Sequence, residues 1–297
     1  MIYVVFESGS RAGFSTEMFF RAWQKENPNS NVSLLMADSD KDYILVPTSN
    51  KSIRRVSDNV AQSILLHHSD TRVFPGDELT RQSNHKIQEK SSLDPLSSVS
   101  SWFYDKVKVN TLLSELVGSN SKIRIPKTFA CSDIFIKPAT MSAGSKGLEH
   151  KENACVSELI DIDKEFVVDI LEKDGQYSIY ARETKLRSGY DKMIKFISNH
   201  EYLVDAVKDF LSCIKGSKLE RMFSGIFHLQ IAQDSNGSFY YIESSKRISG
   251  TSISNIFRGY NPFNLTEGTE AHIYDNPFEY YKWYRYEDIV YELRKII

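Results

Sequence analysis

The sequence predicts a protein of the α/β class, in which an α/β region of residues 1–97 precedes an α+β region of residues 98–297. Apolar strands alternate with amphipathic helices near the N-terminus, as in parallel sheets with crossover helices. The serine-rich stretch "SSLDPLSSVSS" then interrupts the apolar pattern near residue 97. Beyond that stretch, long strands joined by Asp-Gly and Asn-Gly pairs indicate antiparallel hairpins.

The composition excludes several classes of protein. Of the 297 residues, 41% are hydrophobic and 26% are charged, and 37 basic against 39 acidic side chains leave a net charge of −2. This balance creates no overall field that would attract nucleic acid or an anionic membrane. The sequence also lacks a C-x-x-C pair, a signal peptide and any apolar stretch of about 18 residues. We therefore expect a cytoplasmic protein without disulfides or a zinc site.

The N-terminal elements follow from hydrophobic periodicity. "MIYVVF" predicts a buried strand, "ESGSRAG" a loop, and "FSTEMFFRAWQKEN" a helix with Phe19, Ala22 and Trp23 on one face. "VSLLMAD" and "DYILVP" predict further strands, and "SDNVAQSILLHH" predicts a helix capped by Ser57 or Asp58. Together these elements indicate a parallel sheet.

The second region opens with a helix in "WFYDKVKVNTLLSELV", where Val109, Leu112, Leu113 and Leu116 recur at helical spacing. Strands are predicted in "IFIKPA", "EFVVDILEKDGQYSIYARETK" and "SGIFHLQIAQDSNGSFYYIES". The helix "EYLVDAVKDFLSCIK" lies between the last two stretches, and "YEDIVYELRKII" is expected to form a closing helix.

A first candidate motif is the strand and loop "IFIKPATMSAGSKGLEH". Lys137 supplies a mobile positive charge, and the small residues Ser142, Gly144 and Ser145 let backbone N–H groups approach phosphate oxygens. The stretch does not fit the P-loop pattern G-x-x-x-x-G-K-[ST]. Taken alone, it could equally be an ordinary loop.

A second candidate motif is "VSELIDIDKEFVVDIL", in which Glu158 and Glu165 bracket a short connection. Backbone groups of Leu159 and Ile160 could bind an adenine edge, and a carboxylate could bind ribose hydroxyls. Both glutamates could instead be solvated at strand ends.

A third candidate motif is "FHLQIAQDSNGSFYYIESSKR". Strand periodicity places His228 and Gln230 on one face, and pairing across the Asn-Gly turn brings Gln230 close to Ile242 and Glu243. Carboxylate and amide oxygens suit magnesium, and Arg247 could bind phosphoryl oxygens. A surface ion pair is the alternative interpretation of the same residues.

The order of these features resembles the ATP-grasp superfamily, and more narrowly the branch that includes carbamoyl-phosphate synthase and biotin carboxylase. The resemblance covers about residues 98–265. It implies a Rossmann-like pre-ATP-grasp domain in residues 1–97 and a two-lobed ATP-grasp module in residues 98–297, with a lid subdomain near residues 126–160.

The resemblance implies that Lys106, in "YDKVKVN", and Lys137 contact the nucleotide phosphates. The loop "SAGSKG" would cover the β- and γ-phosphates, with Ser142, Gly144 and Ser145 as donors, although it carries less glycine than is usual in the family.

The adenine and ribose positions of the family fall on the second motif. Glu158 corresponds to the glutamate beside the adenine, with Leu159 and Ile160 next to it. Glu165 corresponds to the glutamate that binds the ribose.

The metal positions of the family fall on Gln230 and Glu243, and Ser245 stands where many members have asparagine. Arg247 would stabilise the transferred phosphoryl group, and Arg182 would add a substrate or phosphate contact. The implied cofactors are ATP and Mg²⁺, or Mn²⁺ in its place.

The implied activity is that of an ATP-dependent carboxylate–amine ligase, which forms an acyl phosphate and releases ADP and phosphate. The expected partners are a small-molecule carboxylate and an amine, with no nucleic acid and no membrane, and a homodimer is left open. We expect Ser10 and Arg11 of the N-terminal loop to contact the carboxylate substrate. Because Ser245 is a poorer metal ligand than asparagine, a non-catalytic or regulatory ATP-binding module is the alternative. A Rossmann-type oxidoreductase is disfavoured, since "GSRAG" lacks G-x-G-x-x-G.

Overall fold

The computed structural model describes residues 1–6, 11–38, 52–74, 106–118, 121–127, 134–138, 154–187, 191–196, 201–269, 284–286 and 289–291. The chain divides into two compact units. Unit 1 consists of Met1–Ser98 together with Lys246–Ile297, and unit 2 consists of Val99–Ser245. The predicted domains, residues 1–97 and 98–297, stay a prediction because these units are defined by packing alone.

The helices in the described part of the chain are α1 Arg11–Glu26, α2 Asp58–His67, α3 Lys106–Val117, α4 Glu201–Ile214 and α5 Pro262–Glu267, with 3₁₀ helices at Glu220–Phe223 and Ser252–Arg258. The strands are β1 Ile2–Val5, β2 Ser33–Asp38, β3 Ile53–Ser57, β4 Thr71–Val73, β5 Ile123–Arg124, β6 Ile134–Pro138, β7 Ala154–Glu158, β8 Ile162–Lys173, β9 Gln176–Arg187, β10 Asp191–Phe196, β11 Ile226–Asp234, β12 Phe239–Ser245, β13 Tyr284–Tyr286 and β14 Ile289–Tyr291. Among the described residues, no helix has the length and apolar character needed to cross a membrane.

Unit 1 contains a sheet of four parallel strands in the order β3-β2-β1-β4. Its apolar core includes Val4 and Leu35 from the sheet and Ala61 and Leu65 from α2. The predicted α/β class and parallel sheet are therefore confirmed. The more specific prediction of a Rossmann-like domain stays a prediction.

Helix α1 begins at Arg11, so the last three residues of the predicted loop "ESGSRAG" are helical. Its predicted apolar face is confirmed, because Phe19, Ala22 and Trp23 are at most 2% exposed. Ser57 directly precedes α2 with extended backbone, at the predicted cap position, although its side chain makes no capping hydrogen bond.

Strands β3 and β4 are absent from the sequence prediction. Strand β3 is only five residues long and exposes Arg54 and Arg55, so it shows neither an apolar run nor strict alternation. Strand β4 has three residues, too few for a periodic pattern. The predicted strand "DYILVP" lies outside the described residues.

Helix α5 contributes to an aromatic cluster in unit 1. The ring of Phe263 stacks on Phe74 with centroids 4.5 Å apart and meets Tyr3 and Phe20 edge-on. Burial and a hydrogen bond donated to the carboxylate of Glu267 raise the pKa of Tyr3. The segment after β12 is thereby packed onto the N-terminal sheet.

The predicted closing helix in "YEDIVYELRKII" is wrong at residues 289–291. These residues form β14, which pairs antiparallel with β13. The physical reason lies in composition, since Ile289, Val290 and Tyr291 are β-branched or aromatic and favour strands over helices.

Unit 2 contains a six-stranded sheet in the order β10-β9-β8-β11-β12-β5. Asp174 and Gly175 join β8 to β9 with φ angles of 54° and 77°, and Gly237 has a φ of 85° between β11 and β12. These left-handed values suit glycine and are tolerated by aspartate in tight hairpins. Both predicted hairpins are confirmed, and β6 and β7 form a separate antiparallel pair.

The core of unit 2 packs α3 and α4 on one face of this sheet. Val109 and Leu113 are buried as predicted, but Leu116 is 37% exposed, and Asn110 and Val117 are buried instead. The buried stripe of α3 is thus turned by about one residue relative to the predicted stripe. The helix ends at Val117, as the following glycine indicates.

Candidate functional site

The six-stranded sheet of unit 2 has an apolar face and a polar face. Side chains alternate across a strand. In β8, Phe166 and Val168 belong to the core formed with α3 and α4. Glu165 and Asp169 therefore lie on the opposite face.

Cross-strand pairing extends this polar face over neighbouring strands, because directly opposed residues share a face. Asp169 of β8 lies opposite His228 of β11, and His228 lies opposite Ser245 of β12. In the adjacent row, Gln230 lies opposite Glu243. We call this set the polar face; it includes Glu165, Asp169, Arg182, Thr184, His228, Gln230, Glu243 and Ser245.

A bulge in β12 decides which of its residues join the polar face. Regular pairing from the Asn-Gly turn places Ile231 opposite Tyr241, and its continuation would place Gln230 opposite Ile242. The register shifts by one residue at this point, so Gln230 lies opposite Glu243. Without the extra residue, Glu243 would face the apolar core.

The bulge completes a cluster of three side chains on the polar face. The Nε2 atom of Gln230 donates to Oε1 of Glu243 at 2.7 Å, and Nζ of Lys106 lies 3.1 Å from Oε2 of the same carboxylate. Lys106 is the first residue of α3 in the described part of the chain, and its side chain is 22% exposed against 33% for Glu243. The structure therefore brings together one predicted phosphate-binding residue and two predicted metal ligands.

Arg182 and Asp169 form a buried ion pair on the same face. Nη1 of Arg182 donates to Oδ2 of Asp169, and both side chains are 0% exposed. Sequence reasoning missed Asp169, although a lone carboxylate inside the apolar run "FVVDIL" signals a specific partner. The catalytic role predicted for Arg182 stays a prediction, since the ion pair itself accounts for this buried arginine.

His228 and Ser245 are also nearly buried, at 2% and 5% exposure. The predicted placement of His228 and Gln230 on one face is confirmed. The row that joins Asp169, His228 and Ser245 was not predicted. It could have been found by counting residues from the Asp-Gly and Asn-Gly turns, apart from the shift at the bulge.

The predicted adenine-binding segment lies at the end of β7. The backbone N–H of Glu158 donates to the carbonyl of Lys127 at 2.9 Å, and its carboxylate accepts the N–H of Lys127 at 3.2 Å. Leu159 is 69% exposed and Ile160 is half-buried. Glu165 lies on the polar face, opposite Thr184 of β9. The nucleotide roles of these residues stay predictions.

The remaining predicted residues are distributed as follows. Lys137 lies in β6, paired in register with Cys155 of β7. Ser142, Gly144 and Ser145 lie outside the described residues. The roles of all of them as phosphate ligands stay predictions.

Arg247 follows the end of β12 and belongs to unit 1, where its Nη1 donates to the carbonyl of Ile248 at 3.1 Å. Arg11 begins α1, and Ser10 lies outside the described residues. The substrate and phosphoryl contacts expected of these three residues stay predictions.

The oxygen donors around Glu243 are of the kind that bind hard divalent cations. The carboxylate of Glu243, the amide oxygen of Gln230 and the hydroxyl of Ser245 stand on one face of two paired strands. Within the described residues, no group of three or more His, Cys, Asp or Glu side chains could hold a metal by itself. Mg²⁺ is commonly bound by one or two carboxylates plus substrate phosphates, so a single carboxylate with neutral oxygens beside it is compatible with such an ion.

Comparison with solved structures places the chain in a known fold. The N5-carboxyaminoimidazole synthetase of Staphylococcus aureus matches with a TM-score of 0.64 and 13% identity, over 91% of this chain and 78% of that chain. A putative ATP-grasp superfamily protein from Archaeoglobus fulgidus matches with a TM-score of 0.59 and 13% identity, over 92% of this chain and 90% of that chain. The L-amino acid ligase of Bacillus licheniformis matches with a TM-score of 0.58 and 13% identity, over 90% and 73% of the two chains.

The chain therefore has the ATP-grasp fold, as the resemblance implied. Neither a family model nor a curated protein matches the sequence itself. At 13% identity the likeness rests on the arrangement of helices and strands.

Proposed function

We propose that the chain is an ATP-dependent ligase that joins a carboxylate to an amine. The observation that carries the proposal is the convergence of Lys106, Gln230 and Glu243 on the polar face of an ATP-grasp fold. An ammonium group binds phosphate oxygens, while carboxylate and amide oxygens bind a hard cation. The compared structures support ligation, since their names describe a synthetase and an amino acid ligase.

The nucleotide would be bound by residues from several elements of unit 2. Lys106 and Lys137 would contact its phosphates, while Glu158 and Glu165 would bind adenine and ribose. The 69% exposure of Leu159 supports an apolar contact with a base, because a flat ring would cover that side chain. Ser142, Gly144 and Ser145 would close over the phosphates, and Ile160 would line the base.

The cation would be held by Glu243 and Gln230, with the hydroxyl of Ser245 as a further oxygen. When bound, Mg²⁺ supplies neutralisation of charge on the phosphates. Gln230 would turn its amide so that oxygen, rather than Nε2, meets the cation. That change is a rotation of one side chain and leaves the strand pairing intact.

The proposed reaction has two displacement steps. A carboxylate oxygen of the substrate attacks the γ-phosphorus of ATP, and the bond between that phosphorus and the β-phosphate oxygen breaks. The products of this step are an acyl phosphate and ADP. The amine nitrogen then attacks the acyl carbon, a C–N bond forms, phosphate leaves, and the nitrogen loses a proton. The charge on the phosphoryl group would be stabilised in both steps by Lys106, Lys137 and Arg247. The protein needs no nucleophile of its own, because the carboxylate and the amine supply both.

The test is ADP release by the full chain with a panel of amino acids and amines in the presence of ATP and Mg²⁺. We expect Glu243→Gln to lower the rate about a hundredfold, because the carboxylate that would hold Mg²⁺ beside the phosphates is lost. Glu115→Gln removes an exposed carboxylate from α3 and should leave the rate unchanged. Turnover that survives Glu243→Gln would contradict the site assignment.

A non-catalytic ATP-binding module is the second candidate, and one observation favours it. The carboxylate of Glu243 is already engaged at both oxygens by Gln230 and Lys106, and Ser245 offers only a hydroxyl as a further ligand. Calorimetric binding of ATP without ADP release on any substrate pair would establish this second function. Absence of ATP binding would overturn both candidates.

A further inference from the structure

Both oxygens of the Glu243 carboxylate accept hydrogen bonds within the protein. Oε1 accepts from Nε2 of Gln230 at 2.7 Å, and Oε2 accepts from Nζ of Lys106 at 3.1 Å. The ammonium group therefore stands at the carboxylate that the proposed function assigns to a divalent cation.

Two cations cannot share this carboxylate at low cost. Like charges a few ångströms apart repel strongly at the effective dielectric of a protein surface. Lys106 is 22% exposed and Glu243 is 33% exposed, so water screens the pair less than it screens a fully exposed one. A divalent cation that enters alone must displace Lys106 and leave its ammonium group without the carboxylate.

The phosphates of a nucleotide remove this obstacle. They offer negative oxygens to which the Lys106 ammonium can move, and the vacated carboxylate becomes open to the cation. Binding of the nucleotide phosphates at Lys106 then favours binding of the cation at Glu243, and this coupling is reciprocal by thermodynamic necessity.

We propose that Lys106 is a placeholder cation that makes the binding of the divalent ion depend on the nucleotide. The inference rests on the proposed cation site at Glu243 and extends it. Lys106 would hold Glu243 in position in the free protein and keep metal ions out until a phosphate ligand arrives. The residue that the resemblance links only to phosphate thereby acquires a second role.

The test measures Mn²⁺ binding to the full chain without nucleotide, by electron paramagnetic resonance of the free ion. We expect Lys106→Met to bind Mn²⁺ about tenfold more tightly than the unaltered protein, because the competing charge is gone. Lys108→Met removes the same charge from an exposed position on α3 and should change nothing. Lys106→Arg keeps the charge and should also bind Mn²⁺ like the unaltered protein.

We expect Lys106→Met to fold, since a positive charge in the first turn of a helix interacts unfavourably with the helix dipole. Thermal unfolding of each variant checks this point. Combining Lys106→Met with Glu243→Gln should abolish the gain, which locates the ion at Glu243. Equal Mn²⁺ affinity of Lys106→Met and the unaltered protein, or a gain that survives Glu243→Gln, would overturn the inference.

The outcome is separable from that of the proposed function. If the protein binds ATP but releases no ADP with any substrate pair, and Lys106→Met still gains Mn²⁺ affinity through Glu243, the placeholder role stands and the ligase proposal falls. If the protein releases ADP with a substrate pair but Lys106→Met gains no Mn²⁺ affinity, the ligase proposal stands and the placeholder role falls.

Discussion

Replacing Arg182 by methionine removes the guanidinium that pairs with the buried carboxylate of Asp169. Both side chains are 0% exposed, so no solvent screening reduces the effect of losing the partner. Breaking a fully buried ion pair from one side costs about 3–5 kcal/mol, since the remaining charge loses its compensation. We expect the free energy of unfolding to fall by that amount, which corresponds to roughly 10–16 °C in Tm for a unit of about 150 residues such as Val99–Ser245.

Urea-induced unfolding followed by circular dichroism measures this change. The double variant Asp169→Leu/Arg182→Met removes both charges and should be more stable than Arg182→Met alone, because a buried pair can be replaced by apolar side chains at little cost. Lys173→Met, at the exposed end of β8, should change the stability by less than about 0.5 kcal/mol. A loss below about 1 kcal/mol in Arg182→Met, or a double variant less stable than the single one, would refute the reasoning.

Three further predictions concern the scaffold of unit 2. Leu113→Ala should lower the free energy of unfolding by about 2–5 kcal/mol, because Leu113 is 0% exposed. Leu116→Ala, at a 37% exposed position, should cost well under half as much. Equal losses in urea unfolding would contradict the observed buried face of α3. Gly237→Ala should lower the free energy of unfolding by about 1 kcal/mol, because alanine is strained at a φ of 85°. No steric clash adds to this cost, since an added Cβ meets no atom closer than 3.9 Å. An unchanged Tm in thermal unfolding would argue against this turn geometry. Partial desolvation alone would raise the pKa of the Asp234 carboxyl, but hydrogen bonds from the Ser238 N–H, the Tyr240 hydroxyl and the Asn236 N–H hold it below its ordinary value. The carboxylate therefore stabilises the fold above about pH 4, and this stabilisation is lost as the pH falls through the lowered pKa. Asp234→Asn should make the free energy of unfolding fall less steeply at acidic pH. An unchanged decrease at acidic pH would show that the carboxylate has no such role.

The hairpins show where sequence reasoning succeeds. Asp174-Gly175 and the turn at Gly237 were predicted from residue types alone, because few residues other than glycine adopt the positive φ angles that tight turns need. Once a turn is located, the pairing of the two strands follows by counting, and with it the face on which each side chain lies. Most residues of the polar face can be assigned from the sequence in this way.

The same counting fails at β12, since a bulge adds one residue and turns Glu243 to the polar face. A bulge reflects how the strand fits its neighbours, and the sequence "YYIES" carries no separate signal for it. The prediction of which residues of α3 are buried fails for a related reason. Leu112, Leu113 and Leu116 are equally apolar, and only packing against the sheet and α4 decides which of them is buried.

The strongest local signals therefore determined the α/β character of the N-terminal region, the two hairpins and the helix that ends at Val117 from the sequence alone, because each depends on residues close together in the chain. The tertiary structure decided which distant groups meet. Lys106 and Glu243 are 137 residues apart, and so are linked only through the packing of a helix on a sheet. Contacts across such separations depend on register and packing, which the energies of the whole fold select rather than any short stretch of sequence.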